Sequence, residues 1–338
     1  MIELHLFTTY DDYSITKLIE DIPMKIKQFK STLLTAAILI SGTTLAQDEA
    51  KVSYKTTEVG KGIYMLAGDG GFTGGNIGLL VGDDGVVLID DSMPPFLDIL
   101  NQAIKALTDQ PIDFLINTHV HGDHIGNNET FGQAGTHIVA HDNLRRHLVT
   151  KGVQGSEPGT MVPAPKAALP VLTFSDEMSF HFNDQPAKAI HLPKAHTDGD
   201  AIIHFVDANV IHTGDTFFNG LFPFIDLKSG GSVDGYINAQ IKIISMSNDD
   251  TVIIPGHGPL SNKKDLQAAV DMLIDAKSLV AKHVKDGKSL EQVLAANPLQ
   301  KYHDDWNWGF ITTEKMTTDI YTDLSKPHSH EGQHDHSH

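Results

Sequence analysis

The chain has 338 residues, 40% of them hydrophobic, which is enough to bury a substantial core and too apolar for an extended disordered protein. Its 43 acidic residues outnumber 25 basic ones, and a formal charge of −18 repels phosphate backbones and anionic lipid, which sets nucleic acid and the membrane surface aside as partners. There is no cysteine, so disulfides, thiolate ligands and thiol nucleophiles are excluded together, and any metal must sit on nitrogen and oxygen.

The first 46 residues read as a targeting segment. Lys25, Lys27 and Lys30 precede an apolar stretch over 33–40, and the small residues Thr44 and Ala46 suit a signal peptidase cutting after Ala46. Met24 is the expected start of this signal, with 1–23 an upstream extension. The apolar stretch, about 8 to 14 residues, falls short of the roughly 20 that span a bilayer. The mature chain is therefore expected in the periplasm or outside the cell, with no membrane span.

From residue 51, short apolar runs divided by Gly/Asp turns predict strands over 62–66, 76–81 and 85–90. Phe96, Leu97, Leu100, Ala103, Ile104 and Leu107 recur at helical spacing and predict a helix over 94–107 that leads into a strand over 112–117. Further strands are expected over 136–140, 171–174, 178–182, 187–192, 201–206, 210–213 and 251–254, with a helix over 233–244. Two sheets with helices outside fit this order. Segment 152–170 is rich in Pro, Gly, Ala and Ser and reads as a long surface loop, either a lid or a passive linker. After His257, capping signals at Ser261 and Ser289, the latter with Glu291 nearby, and a last helix over 312–324 predict a helical extension. The expected organisation is a catalytic domain over 51–265, helices over 266–326 packed on it, and a low-complexity tail over 327–338. In that tail His328, His330, His334, His336 and His338 either collect zinc or copper or are inert.

The densest cluster of potential ligands is Thr118-His119-Val120-His121-Gly122-Asp123-His124, directly after the predicted strand over 112–117. Residues two apart at a strand end point the same way, so His119 and His121 can share one metal. The turn at Gly122 then redirects Asp123 and His124 toward a second. Three later strand ends answer this one: Ala195-His196-Thr197-Asp198, Thr213-Gly214-Asp215-Thr216 and Pro255-Gly256-His257-Gly258. Loops at one edge of a sheet are where binding groups collect, because the scaffold fixes them while leaving them exposed.

The ordered set His119, His121, Asp123, His124, His196, Asp215 and His257, with its Gly-Asp-Thr and Pro-Gly-His-Gly contexts, resembles the metallo-β-lactamase superfamily over residues 55–260. The resemblance implies an α+β fold, a four-layer αββα sandwich with the metals in the cleft between sheet edges. It also implies two zinc ions, with His119, His121 and His196 on the first, Asp123, His124 and His257 on the second, and Asp215 bridging both. The activity implied is hydrolysis of a small-molecule amide, lactone, ester or thioester. A hydroxide between two cations about 3.5–4 Å apart is a strong nucleophile. Asp123 and Asp215 are the expected catalytic residues, Asp123 orienting the nucleophile and returning a proton to the leaving atom. The same nitrogen and oxygen ligands suit iron or manganese, which keeps open an iron-dependent oxidoreductase similar to persulfide dioxygenases. The tail keeps open a periplasmic zinc-binding protein.

One class of lactamases in the superfamily uses a cysteine ligand and a lysine that grips the substrate carboxylate. Here Asp215 stands in place of that cysteine and Phe218 in place of the lysine. His124 after Asp123, with a bridging Asp215, is more similar to glyoxalase II and lactonases, and in part to lactamases with His at that position. β-Lactam hydrolysis stays open. Phe217, Phe218, Phe222 and Phe224 either line an apolar pocket wall or pack the core below. The Gly-rich stretch 68–75, carrying Phe72, reads as a mobile hairpin over the cleft, and Lys228 is the nearest basic candidate for a substrate anion. His181, His204 and His212 alternate with apolar neighbours and read as packing or surface residues. Trp306, Trp308 and Phe310 either dock the last helix or border the cleft.

Overall fold

Continuous apolar runs such as Leu79-Leu80 and Val86-Val87-Leu88-Ile89 belong to strands buried on both faces, and the computed structural model, which describes residues 51–154 and 160–326, puts them there. Strands β1 (Ser53–Gly60), β2 (Ile63–Asp69), β3 (Ile77–Gly82) and β4 (Gly85–Ile89) form an antiparallel meander. Helix α1 (Leu97–Lys105) then carries the chain to β5 (Phe114–Ile116), parallel to β4. Short helices α2 (Gly122–Ile125) and α3 (Asn128–Gln133) lead to β6 (His137–His141), and α4 (Asp142–Lys151) follows. A two-stranded ladder, β7 (Val153–Gln154) with β8 (Met161–Val162), precedes β9 (Leu172–Phe174), which completes a seven-stranded sheet in the order β1-β2-β3-β4-β5-β6-β9. The second sheet has the order β10 (Glu177–Phe182), β11 (Gln185–Leu192), β12 (Asp200–Phe205), β13 (Val210–His212), β14 (Val252–Ile254) and β15 (Ser261–Asn262). Helix α5 (Val233–Met246) connects β13 to β14, and α6 (Lys263–Lys285), α7 (Leu290–Ala296), α8 (His303–Trp306) and α9 (Thr313–Leu324) close the described chain.

Alternate residues of each strand face different layers. Leu80, Val87 and Ile89 pack between the sheets against Ala189, Ile203, Phe205 and Ile254. Leu79, Val86 and Leu88 instead face outward onto Leu100 and Ile104 of α1. On the far side Ile202, Ile211 and Ile253 meet Ala239 and Ile243 of α5 and Leu266 of α6. The result is the αββα sandwich. A further cluster joins Phe218 and Phe222 to Tyr236 and to α6, α7 and α9 through Leu273, Val293, Met316 and Ile320, so the C-terminal helices share a core with the loops after β13.

Some local expectations change. Strand β1 is absent from the sequence reading because Ser53-Tyr54-Lys55-Thr56-Thr57-Glu58 lacks an apolar run. It is an edge strand whose pairing with β2 supplies what its side chains do not signal. The cap of α6 is Asn262, whose side chain accepts from the backbone of Lys264 and Asp265, while Ser261 ends in β15. Ser289 does cap α7, in a capping box completed by Gln292 rather than Glu291. The described part of 152–170 carries β7, β8 and a 3-10 turn at Lys166–Ala168, and its Leu169 and Ala164 pack on Leu144 and Leu148 of α4. The targeting segment and the His-rich tail lie outside the described residues. Among those described, no helix is long and apolar enough to cross a membrane.

Candidate metal centre

Four strands of the two sheets deliver the seven predicted residues to one place. Residues 118–124 follow β5, His196 follows β11, Asp215 follows β13 and His257 follows β14. Asp215 stands at the centre. Its Oδ2 lies 3.6 Å from His119 Nε2 and 3.5 Å from His196 Nε2, and His196 Nε2 is 2.7 Å from His121 Nδ1. Its Oδ1 lies 3.1 Å from His124 Nε2 and 3.5 Å from His257 Nε2, and these face Asp123 Oδ2 at 3.6 and 3.3 Å. The structure therefore brings all seven together as two groups that share one carboxylate, His119/His121/His196/Asp215 and Asp123/His124/His257 with Asp215.

The outer nitrogens show which ring atoms face inward. His124 Nδ1 lies 2.7 Å from Asp90 Oδ2, which also accepts the Thr118 hydroxyl at 2.7 Å, while Asp90 Oδ1 accepts the Thr118 amide. The Thr118 hydroxyl, having given its proton to Asp90, accepts from His119 Nδ1 at 3.0 Å. His196 Nδ1 donates to the Phe224 carbonyl at 2.7 Å, and His121 Nε2 to Asp226 Oδ2 at 3.1 Å. Four rings thus spend their N–H outward and turn a lone pair into the site, as ligating histidines do. Asp90, although close to His119 and His124, has both oxygens engaged and acts on the site through those partners.

Whether the residues fit a metal can be read from what they leave unsatisfied. His119 Nε2, His124 Nε2 and Asp215 Oδ1 are buried without a hydrogen-bond partner, a costly arrangement unless something cationic stands among them. Donors about 2.0–2.2 Å from one tetrahedral ion stand roughly 3.3–3.6 Å from each other, close to most of the spacings above. The donor set fits.

Charge distributes unevenly across the two groups in the metal-free chain. Burial, with repulsion from His124, holds His119 well below the usual histidine range; burial and His121 lower His196 to about 4. On the other side burial is outweighed: Asp215, Asp123 and Asp90 push His124 well up, and Asp215 and Asp123 raise His257 to about 9. Against the upward pull of burial, His124 and His257 hold Asp123 down to about 2, and the imidazoles His124, His257 and His119 keep Asp215 well below the carboxylate range. Protons here occupy the place a cation would take.

Close packing accounts for two glycines. A Cβ on Gly75 would lie 2.1 Å from His124 Cε1, and one on Gly256 would lie 2.1 Å from Asp215 Oδ1. Asn76 ties the same two loops together, its amide donating to the Gly256 carbonyl and its side chain to those of Pro255 and Gly258. Asn76, Asp90 and Asp226 escape the sequence reading. Asp90 does carry the signal seen at the ligand loops, an acidic residue at the end of a buried strand, whereas Asp226 has none. Of the residues left open, Phe218 is buried yet stacks on His257 with centroids 5.0 Å apart, so it serves core and site alike. Phe72 is 57% exposed and stacks on the same ring at 5.9 Å. Lys228 is exposed, its backbone amide bonded to Asp226 Oδ1. His212 is buried, accepting at Nδ1 from the Gly214 amide and facing the Asn76 carbonyl with Nε2; His181 is exposed. His141 caps α4 and stacks on His191, serving the fold.

The family model described as the metallo-beta-lactamase superfamily matches residues 70–257, which hold all seven residues. The chain belongs to the metallo-beta-lactamase superfamily. It is 25% identical over 205 residues to the human acyl-coenzyme A thioesterase MBLAC2, covering 54% of this chain and 72% of that protein; the match to its bovine counterpart spans only 54% of the bovine protein. It is also 26% identical over 190 residues to the probable metallo-hydrolase YqgX of Bacillus subtilis, covering 54% of this chain and 85% of that one. Among solved structures, a metallo-beta-lactamase from Pontibacter korlensis superposes with a TM-score of 0.53 at 16% identity, over 65% of this chain and 99% of the other, a likeness of fold.

Proposed function

We propose that this chain is a dinuclear zinc hydrolase that cleaves an amide, lactone, ester or thioester of a small molecule, with His119, His121 and His196 holding one ion, Asp123, His124 and His257 the other, and Asp215 bridging. The observation that carries this reading is the placing of Asp215, each of whose oxygens faces a different group of imidazoles. Zinc bound there would supply Lewis acidity, acidifying water to a pKa of about 7 and polarising a substrate oxygen. Asp123 is the carboxylate of the set that opens to solvent, its side chain 24% exposed against 4% for Asp215. Held ionised at neutral pH, it would orient the attacking water by accepting a hydrogen bond and then pass the proton to the leaving atom. Within that panel, the relatives named as thioesterases favour the thioester. The basic-apolar-small pattern over 25–46 supports export, to the periplasm or out of the cell.

The test is metal content of the purified chain together with turnover of a chromogenic cephalosporin, a lactone, an ester and a thioester. Two zinc per chain, with hydrolysis lost in Asp123→Asn while metal is retained, is the expected result. Iron in place of zinc, with oxygen consumed and nothing hydrolysed, would overturn it in favour of the oxidoreductase.

A further inference from the structure

We infer that Phe310 and Phe224, backed by Trp308, form the binding surface for an apolar acyl or aryl group of the substrate on the His121 side of the metal centre. This rests on the hydrolase reading and names the kind of substrate it acts on. The aromatic rings form an unbroken arc from one group of ligands to the other. Phe218 stacks on His257, Trp308 lies 6.1 Å from Phe218, Phe310 is 5.6 Å from Trp308, Phe224 is 5.3 Å from Phe310, and Phe224 stacks over His121 at 5.5 Å. Exposure grows along the arc: Phe218 is 2% exposed, and Trp308 and Phe224 are half-buried. Phe310 is 46% exposed, a large apolar face presented to solvent one ring away from a candidate ligand. An exposed ring continuous with half-buried aromatic neighbours beside a polar site offers a place where apolar ligand groups can be taken out of water.

The wall is rigid. Trp308 Nε1 donates to the Phe222 carbonyl at 2.9 Å, the Phe222 amide to the Trp306 carbonyl at 2.8 Å, and Asn307 accepts the Thr313 amide at 2.9 Å. These bonds clamp the segment before α9 onto the loop after β13, so Phe310 is held where it stands. Its chemistry is apolar too. Lys315, whose ammonium lies 5.8 Å from the Phe224 centroid, is held by both oxygens of Asp319 at 2.5 and 2.6 Å, so the nearest cation is already neutralised. Phe310 and Trp308 also lie beyond residues 70–257, the part of the chain that matches the superfamily, so this wall is supplied by the chain's own C-terminal extension.

The experiment compares acetyl and octanoyl thioesters of N-acetylcysteamine on the full, zinc-loaded chain, water adding to the acyl carbon as the C–S bond breaks and the thiol leaves with a proton. A thiol-reactive dye reads product alone, because the chain has no cysteine. The octanoyl-to-acetyl ratio of kcat/KM is expected to fall about tenfold in Phe310→Ala and to be largely kept in Phe310→Leu. Independently, octanoate titrated into a Trp306→Phe chain should quench Trp308, then the single tryptophan, and the quench should vanish when Phe310→Ala is added. A ratio unchanged in Phe310→Ala overturns the inference while leaving the hydrolase intact. If neither thioester is cleaved, the quench decides: dependence on Phe310 sustains the apolar surface without the hydrolase, and indifference to Phe310 overturns it.

Discussion

The two halves of the candidate metal centre carry the same kinds of potential ligand and treat protons in opposite ways. His119, His121 and His196 form an all-imidazole group whose two buried members are pushed toward the neutral form. Asp123, His124 and His257 include a carboxylate, and with Asp215 and Asp90 nearby both imidazoles are pushed toward the charged form. Nearby carboxylates, Asp215 first and then Asp123, thus favour protons on the imidazoles of the Asp123 half in the metal-free chain. Metal uptake by that half must displace protons and by the other half need not.

The largest effect is expected from removing what the halves share. Asp215→Ala should abolish the comparison, with both ions lost by elemental analysis and turnover reduced at least about 10³-fold. The second-largest separates the halves. Asp90→Ala strips the partner of His124 and of Thr118, which in turn positions His119, and should weaken zinc binding by about 100-fold; Asp226→Ala strips the partner of one ring of the set, His121, and should cost nearer tenfold, both by chelator competition. Equal losses would show that the outer carboxylates do not act through the separate rings described.

The pH dependence sharpens the comparison further. In the chelator-treated chain His257, raised to about 9, keeps a proton that the unfolded chain releases near 6.5, so its contribution is whole below about 6.5 and gone above about 9. His196, depressed to about 4, takes its proton first in the unfolded chain, so stability also falls as pH drops from about 6.5 toward 4. Thermal melts should therefore peak near pH 6.5, and a melt that climbs steadily to pH 9 would contradict the proton-holding half. The smallest effect belongs to Phe72→Ala: a ring that exposed should change stability by no more than about 0.5 kcal/mol in the same melts.

Much of the fold was legible because strands buried on both faces read as unbroken apolar runs, and β3, β4, β11, β12 and β14 sit within two residues of their expected ends. The polar edge strand β1 was not, since pairing rather than burial holds it. In the site, His119, His121, Asp123 and His124 are close in sequence and announce themselves, and Asp215 and His257 carry glycine contexts that packing requires. Asp226 was hidden, for a carboxylate that orients a histidine 105 residues away leaves no local spacing to find, and Asp90, 34 residues from its histidine, showed only its place at the end of a buried strand.

By itself the sequence determined which candidate ligand types are present, their order at strand ends and the exclusion of thiolate chemistry, because these depend on composition and on short-range geometry that every strand obeys. Tertiary structure alone decided which oxygen of Asp215 faces which histidines, which nitrogen of each ring is free, and that Phe310, 189 residues beyond His121, closes the aromatic arc beside it. Those are relations between elements brought together by burying apolar surface, a non-directional force that leaves no mark of its partners in the linear chain.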